Sequence, residues 1–124
     1  MTVHHEGHMP EAMEDLKHGI RMMRERSPNT WSAWAAYVES VLQPTALDRK
    51  TKELVALGMS ITAQCKYCIG VHVQKCLDAD ATEAELIDVC HVAMLMGGSP
   101  AMTYIADVNN ALELYREKQE KLSG

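Results

Sequence analysis

Three features of the 124-residue sequence predict an all-α protein. Apolar residues recur three and four positions apart along most of the chain, which places them on single helix faces. Prolines and N-cap residues divide the chain into pieces of helical length. No segment shows the sustained apolar–polar alternation of a half-buried strand. Abundant Ala, Leu and Met, with no Phe, favours helix as well. Six helices are expected, at about residues 10–26, 29–42, 46–62, 66–79, 83–96 and 100–120, packed as a helical bundle with short connections.

Each element has its own signals. Pro10 opens the first helix, and Met13, Leu16, Ile20 and Met23 mark its apolar face. Ser27-Pro28 reads as an N-cap followed by proline at the first helical position. Trp31, Trp34, Val38, Val41 and Leu42 then form the second stripe, and Trp31, Trp34 and Tyr37 are expected to pack between helices. Pro44 separates the second helix from the third. The third carries Leu54–Ala63, apolar nearly all round, and the fourth follows Cys65. Thr82 with Glu85 is a capping-box pair that opens the fifth, where Leu86, Val89, Cys90, Ala93 and Met94 repeat the spacing. Ser99-Pro100 is expected to cap the sixth, with Ile105, Val108, Ala111, Leu112 and Tyr115 on its face. Residues 1–8, which include His4, His5 and His8, and residues 121–124 are expected to be loose ends.

The length suits one domain spanning residues 1–124. A formal net charge of −5 without a basic stripe argues against nucleic-acid binding; Arg21, Arg24 and Arg26 are the densest cations. No run offers the ~20 consecutive apolar residues of a membrane span, because Val89–Ala106 is interrupted by His91 and Gly97-Gly98-Ser99-Pro100. The N-terminus lacks the apolar core of a signal peptide, so a cytoplasmic location and no membrane partner are expected. Leu54–Ala63 and Val89–Met96 together carry more all-round apolar surface than a small six-helix monomer readily encloses. Part of it is expected between the subunits of a homo-oligomer; the alternative is that both helices sit at the centre of one core.

The chemistry concentrates in Cys65-Lys66-Tyr67-Cys68-Ile69-Gly70-Val71-His72. Structural disulfides are rare in intracellular proteins, so a close cysteine pair points to redox chemistry or metal. Cys65 and Cys68 become neighbours if a helix starts near Cys65, and His72 lies one turn beyond Cys68. An imidazole there can take a thiol proton, and the partial positive charge of a helix N-terminus favours a thiolate. The helix terminus points to Cys65 as the nucleophile, and His72 points to Cys68. Glu53 precedes an apolar run and is suited to proton transfer. On one continuous helix it would lie ~18 Å from Cys65. The chain must therefore turn back near Ala63-Gln64 for Glu53 to join the site, and neither Gly nor Pro marks that turn.

Glu53, eleven intervening residues, Cys65-x-x-Cys68, three more and then His72 resembles the signature of AhpD-like proteins of the carboxymuconolactone decarboxylase family. The likeness extends over residues 46–98, through the Arg49–Leu57 helix, the Cys-x-Tyr-Cys turn and a capped helix ending in Gly97-Gly98. It implies an AhpD-like all-helical fold in a trimer or hexamer. It also implies thiol–disulfide exchange coupled to hydroperoxide reduction, with a peroxiredoxin or a lipoyl- or thioredoxin-type protein as redox partner and no cofactor. By position, Cys68 would attack, Cys65 would close the disulfide, and His72 with Glu53 would relay protons. Tyr67 stands where AhpD has a histidine between its cysteines, and the chain is shorter than AhpD. The thiol chemistry is therefore the better supported part of the resemblance.

Competing readings attach to the same residues. Zinc is the rival chemistry, since Cys65, Cys68 and His72 are all suitable ligands. Cys65 to Cys76 spans ~16 Å of helix, so one helix cannot wrap Cys76 around the same ion. A family-type decarboxylation of a small lactone or carbonyl compound is a further alternative, disfavoured because those enzymes generally lack the cysteine pair. Cys76 and Cys90 read as small buried hydrophobes. His91 reads as structural or as part of the site wall.

Overall fold

The structure is a computed structural model that describes residues 8–123. Its six helices are α1 (Met9–Arg26), α2 (Pro28–Leu42), α3 (Arg49–Thr62), α4 (Lys66–Asp78), α5 (Glu83–Thr103) and α6 (Ile105–Ser123). No strand occurs among the described residues. The first residues of the expected N-terminal tail, His4 and His5 among them, lie outside this range.

The body is built around α3 and α4. α3 packs on α4 and α5, α6 packs on α4, and α1 lies across α4. Leu57 and Ile61 from α3, Ile69, Val73 and Cys76 from α4, Leu86 and Cys90 from α5, and Val108 and Leu112 from α6 fill the core. Each large aliphatic side chain buried this way contributes roughly 1.5–3 kcal/mol. Gly70 lets α1 approach: a Cβ there would lie 2.5 Å from Met13 Cε and 2.7 Å from Met9 Sδ.

The two turns bracketing α4 share one device. After α3, Gln64 adopts φ 59. Its N–H bonds to Ile61 O at 3.0 Å, and Cys65 N–H reaches back to Ser60 O at 3.1 Å. After α4, Asp80 adopts φ 71. Its N–H bonds to Leu77 O at 3.1 Å, and Ala81 N–H bonds to Cys76 O at 3.0 Å. Both are Schellman closures, in which a left-handed residue lets two further N–H groups satisfy the last carbonyls of a helix. Glycine usually takes that position, but Gln64 and Asp80 take it here, so the first turn carries no glycine or proline signal. The next residue then begins a new helix: Cys65 is the N-cap of α4, and Thr82, after Ala81, closes the expected capping box of α5.

Several expectations change. α3 starts at Arg49 rather than near 46, because the Asp48 carboxylate accepts Thr51 N–H at 2.7 Å and fixes the start. The expected sixth helix is divided. Helical structure resumes before Pro100, and Gly98 (φ 68, ψ −157) carries the break inside α5. A second break falls at Tyr104, where Tyr104 N–H bonds to Ala101 O and Asp107 N–H to Tyr104 O, one residue tighter than an α-helical ladder. Residues 121–123 are not a loose end, since α6 continues through Ser123. Trp34 and Tyr37 do not pack in the core; they are 54% and 62% exposed and lie against each other, ring centroids 6.0 Å apart. By length and mean composition Glu83–Thr103 is apolar enough to cross a membrane, although it contains Glu83, Glu85, Asp88 and His91 and Gly98 interrupts its helical geometry.

Candidate functional site

The turn at Gln64 reverses the chain, so that α4 runs back along α3 and Glu53 meets His72. Cys65 caps α4, and its Sγ accepts the Cys68 N–H at 3.2 Å. Cys65 and Cys68 are joined as a disulfide, their Cα atoms 5.3 Å apart. That spacing lies within the ordinary range for a disulfide, so the helix start accommodates the bond without backbone rearrangement. Cys68 is exposed and Cys65 half-buried. Cys68 is thus the more exposed residue of the pair, while Cys65, as the N-cap, is the one whose sulfur receives the helix N–H and its partial charge.

Behind the disulfide, His72 Nδ1 lies 2.8 Å from Glu53 Oε1, and Glu53 is 1% exposed. A carboxylate can only accept, so the contact is made with Nδ1–H donating, and it fixes the orientation of the His72 ring. Glu53 Oε2 has no hydrogen-bond partner and lies 3.5 Å from Arg49 Nε. Arg49 also meets Glu39 of α2 at 3.4 Å. A polar cavity of about 300 Å³ lined by Arg49, Glu53, Lys75, Asp78 and Ala79 flanks this carboxylate. Sequence reading did not single out Arg49; its i−4 position relative to Glu53 on α3 is the signal that identifies it.

The other thiols are set apart by burial. Cys76 is wholly buried; desolvation first, then the charges of Glu53 and Glu85, push its thiol up to about 12. Burial also pushes the Cys90 thiol up. Both are free, and both fit the hydrophobe reading. His91 is exposed and takes no part in the Glu53–His72 pair. Among the described residues no three His, Cys, Asp or Glu side chains converge as a metal site. Cys65 is bonded to Cys68, and Glu53 is paired with His72, which lies one helical turn beyond Cys68 on α4.

An all-helical chain with a cysteine pair at a helix start and a buried Glu–His pair behind it belongs to a recognisable class of small helical proteins. A sequence model of the carboxymuconolactone decarboxylase family matches residues 28–110, and the chain belongs to that family. It is 32% identical over 85 residues to an uncharacterized protein of the cox locus of Paracoccus denitrificans, covering 68% of this chain and 74% of that one. Among solved structures it resembles a carboxymuconolactone decarboxylase family protein from Legionella pneumophila, with 30% identity, TM-score 0.78 and coverage of 88% and 95% of the two chains. A family member from Thermotoga maritima shares the fold, with 24% identity, TM-score 0.77 and coverage of 90% and 96%. That protein has been described as having a suggested part in the antioxidative response.

Proposed function

We propose that the protein is a thiol–disulfide oxidoreductase that uses Cys65 and Cys68 to reduce hydroperoxides. The observation that carries this reading is the disulfide at the start of α4, with Cys68 exposed and the buried Glu53–His72 pair behind it. The antioxidative role suggested for the Thermotoga protein agrees with it at the level of the fold. In the reduced protein, His72 Nε2 takes the proton of the Cys68 thiol while Glu53 stabilises the imidazolium. The thiolate attacks the terminal peroxide oxygen, so an S–O bond forms and the O–O bond breaks. The alcohol leaves with a proton from the relay. Cys65 then attacks the Cys68 sulfur, closing the disulfide and releasing water. Two thiols are oxidised to a disulfide as one hydroperoxide becomes alcohol and water. A dithiol partner of lipoyl or thioredoxin type restores both thiols and is itself oxidised to a disulfide, and a peroxiredoxin is the alternative acceptor of the reducing equivalents. The protein works as a homo-oligomer.

The test is peroxide consumption with dihydrolipoamide as reductant, alongside peptide mapping of the Cys65–Cys68 bond. Wild-type protein should lose two hydrogens at that pair on peroxide treatment and regain them on reduction, and Cys68→Ser should abolish turnover. A Cys68→Ser variant that consumes peroxide at the wild-type rate would remove the dithiol from the reaction. A disulfide that forms and reduces reversibly without peroxide turnover would keep the exchange chemistry and reject peroxide as the oxidant.

A further inference from the structure

We propose that Arg49 is a positioning residue of the relay: its guanidinium fixes the Glu53 carboxylate, and through that carboxylate the His72 ring. The inference deepens the relay reading given above and rests on it.

The starting point is the second oxygen of Glu53. Oε1 takes the His72 contact at 2.8 Å, while Oε2 is buried without a hydrogen-bond partner. The last torsion of a glutamate side chain is broad, so rotamer preference does not hold the carboxylate plane. A single hydrogen bond leaves that plane free to rock about Oε1. The group at the other oxygen is the Arg49 guanidinium, with Nε 3.5 Å from Oε2. Arg49 stands four residues before Glu53, on the same face of α3. Lys75 shares the wall of the adjoining cavity, and Asp78 on that wall accepts the Tyr115 hydroxyl at 3.1 Å. Among the described residues the ion pairs of Glu53 are with Arg49 and His72.

Arg49 is itself held. Its Nη1 lies 3.4 Å from Glu39 Oε2, and the same oxygen accepts a side-chain N–H of Gln43. Lys52 Nζ fastens the end of α2 to α3 through the carbonyls of Val41 and Gln43, at 2.8 and 2.7 Å. Glu39, Arg49, Glu53 and His72 thus form one chain of contacts from α2 through α3 to α4, ending one turn from Cys68. The placement runs against helix electrostatics. Arg49, Lys50 and Lys52 fill the first turn of α3, where backbone N–H groups carry partial positive charge and acidic side chains are favoured. Each of the three has a partner that accounts for it. Lys50 meets Glu85 of α5 at 3.0 Å, Lys52 holds the end of α2, and Arg49 faces the buried carboxylate. Arginine suits that last task, because its planar guanidinium donates in fixed directions where a lysine offers only a point charge.

The test is a double-mutant cycle between Arg49 and Glu53 with two readouts. The first is the Nδ1–H proton resonance of His72 in the oxidised protein, assigned by its loss in His72→Ala. It needs no peroxide. Wild type should show a hydrogen-bonded signal sheltered from exchange with water. Arg49→Met should broaden or remove it, and Arg49→Lys should restore part of it, since the charge remains. The second readout is the rate of peroxide-driven disulfide formation. Arg49→Met should lower it about tenfold, less than the roughly 10²-fold that misplacing a reacting group by 1 Å can cost. Arg49→Met/Glu53→Gln should be no slower than Glu53→Gln alone, because Arg49 acts only through the Glu53 charge. Circular dichroism checks folding; where Arg49→Met unfolds, Arg49→Lys carries the cycle with a smaller slowing. An unchanged Nδ1–H signal in Arg49→Met, a rate equal to wild type, or a double variant slowed by the product of the two single effects would overturn the proposal. A wild type that forms no disulfide with peroxide rejects the peroxide reading, and the Nδ1–H signal alone then decides the role of Arg49.

Discussion

Glu53 and His72 are nineteen residues apart in sequence and 2.8 Å apart in the fold. Their pairing orients the His72 ring, so under the proposed relay His72→Ala should slow peroxide-driven disulfide formation by roughly 10²-fold, the usual loss for a positioned general base. Glu53→Gln should slow it less, since an amide oxygen still accepts from Nδ1–H. Stopped-flow oxidation of the reduced protein measures both, and an unchanged rate in His72→Ala would sink the relay. Arg49 is the cation facing the second Glu53 oxygen. Arg49→Met leaves that buried charge without its partner and should lower unfolding stability by about 1–2 kcal/mol in urea titrations, discounted from the cost of breaking a fully buried pair because Arg49 is partly exposed. Cys76 offers a test by pH. Its thiol is raised in the folded protein from an ordinary value of 9.0 to about 12. The unfolded chain therefore loses this proton first as pH rises, and the Cys76 contribution to stability falls between pH about 9 and about 12. Cys76→Ala should flatten that alkaline decline relative to wild type in melts across the same range. At this scale the sequence reading singled out Cys65, Cys68, His72 and Glu53 from type and spacing, and the fold bonds Cys65 to Cys68 and pairs His72 with Glu53. It did not reveal Arg49, because an arginine four residues before a glutamate is also what a solvated helix face looks like.

At the scale of elements, proline and the Thr82–Glu85 capping box made several helix starts readable, because those signals act within one turn, while the Asp48 cap that starts α3 was not singled out. The turns were harder to read. Gln64 and Asp80 hold left-handed backbone that costs an L-residue more than glycine, and two closing hydrogen bonds at each turn offset the cost. Gln64→Gly should therefore stabilise the protein by up to ~1 kcal/mol, after the extra freedom glycine gains in the unfolded chain is subtracted. Chemical denaturation decides it, and a destabilised variant would mean that the Gln64 side chain contributes more than its backbone strain removes. The Tyr104 break inside the expected sixth helix has no composition signal, since Tyr104 and Ile105 continue the helical apolar pattern without interruption.

For the whole molecule, the apolar faces of α2, α3 and α5 that remain exposed in one chain set the behaviour. If copies assemble through them, the melting temperature should rise with protein concentration, because association stabilises only the folded form. Scanning calorimetry over a hundredfold concentration range reads this directly, and a constant midpoint would indicate a monomer. The sequence reading anticipated surplus apolar surface on α3 and α5. It assigned Trp34 and Tyr37 to packing between helices, whereas both are exposed in the single chain, because periodicity reports that a face is apolar and not what covers it.

The sequence by itself determined the all-α class and the order of the helices, and it singled out Cys65, Cys68, His72 and Glu53 as candidates. Those follow from periodicity, capping chemistry and residue spacing, which are local properties of the chain. Only the tertiary structure decided that α4 folds back on α3, that Glu53 is buried against His72 with Arg49 at its second oxygen, and that α2 leaves Trp34 and Tyr37 exposed. The first of these depends on a left-handed glutamine whose cost is offset by hydrogen bonds to carbonyls on the preceding turn. The other two depend on which apolar surfaces meet when six helices share one core, and no single helix carries that information.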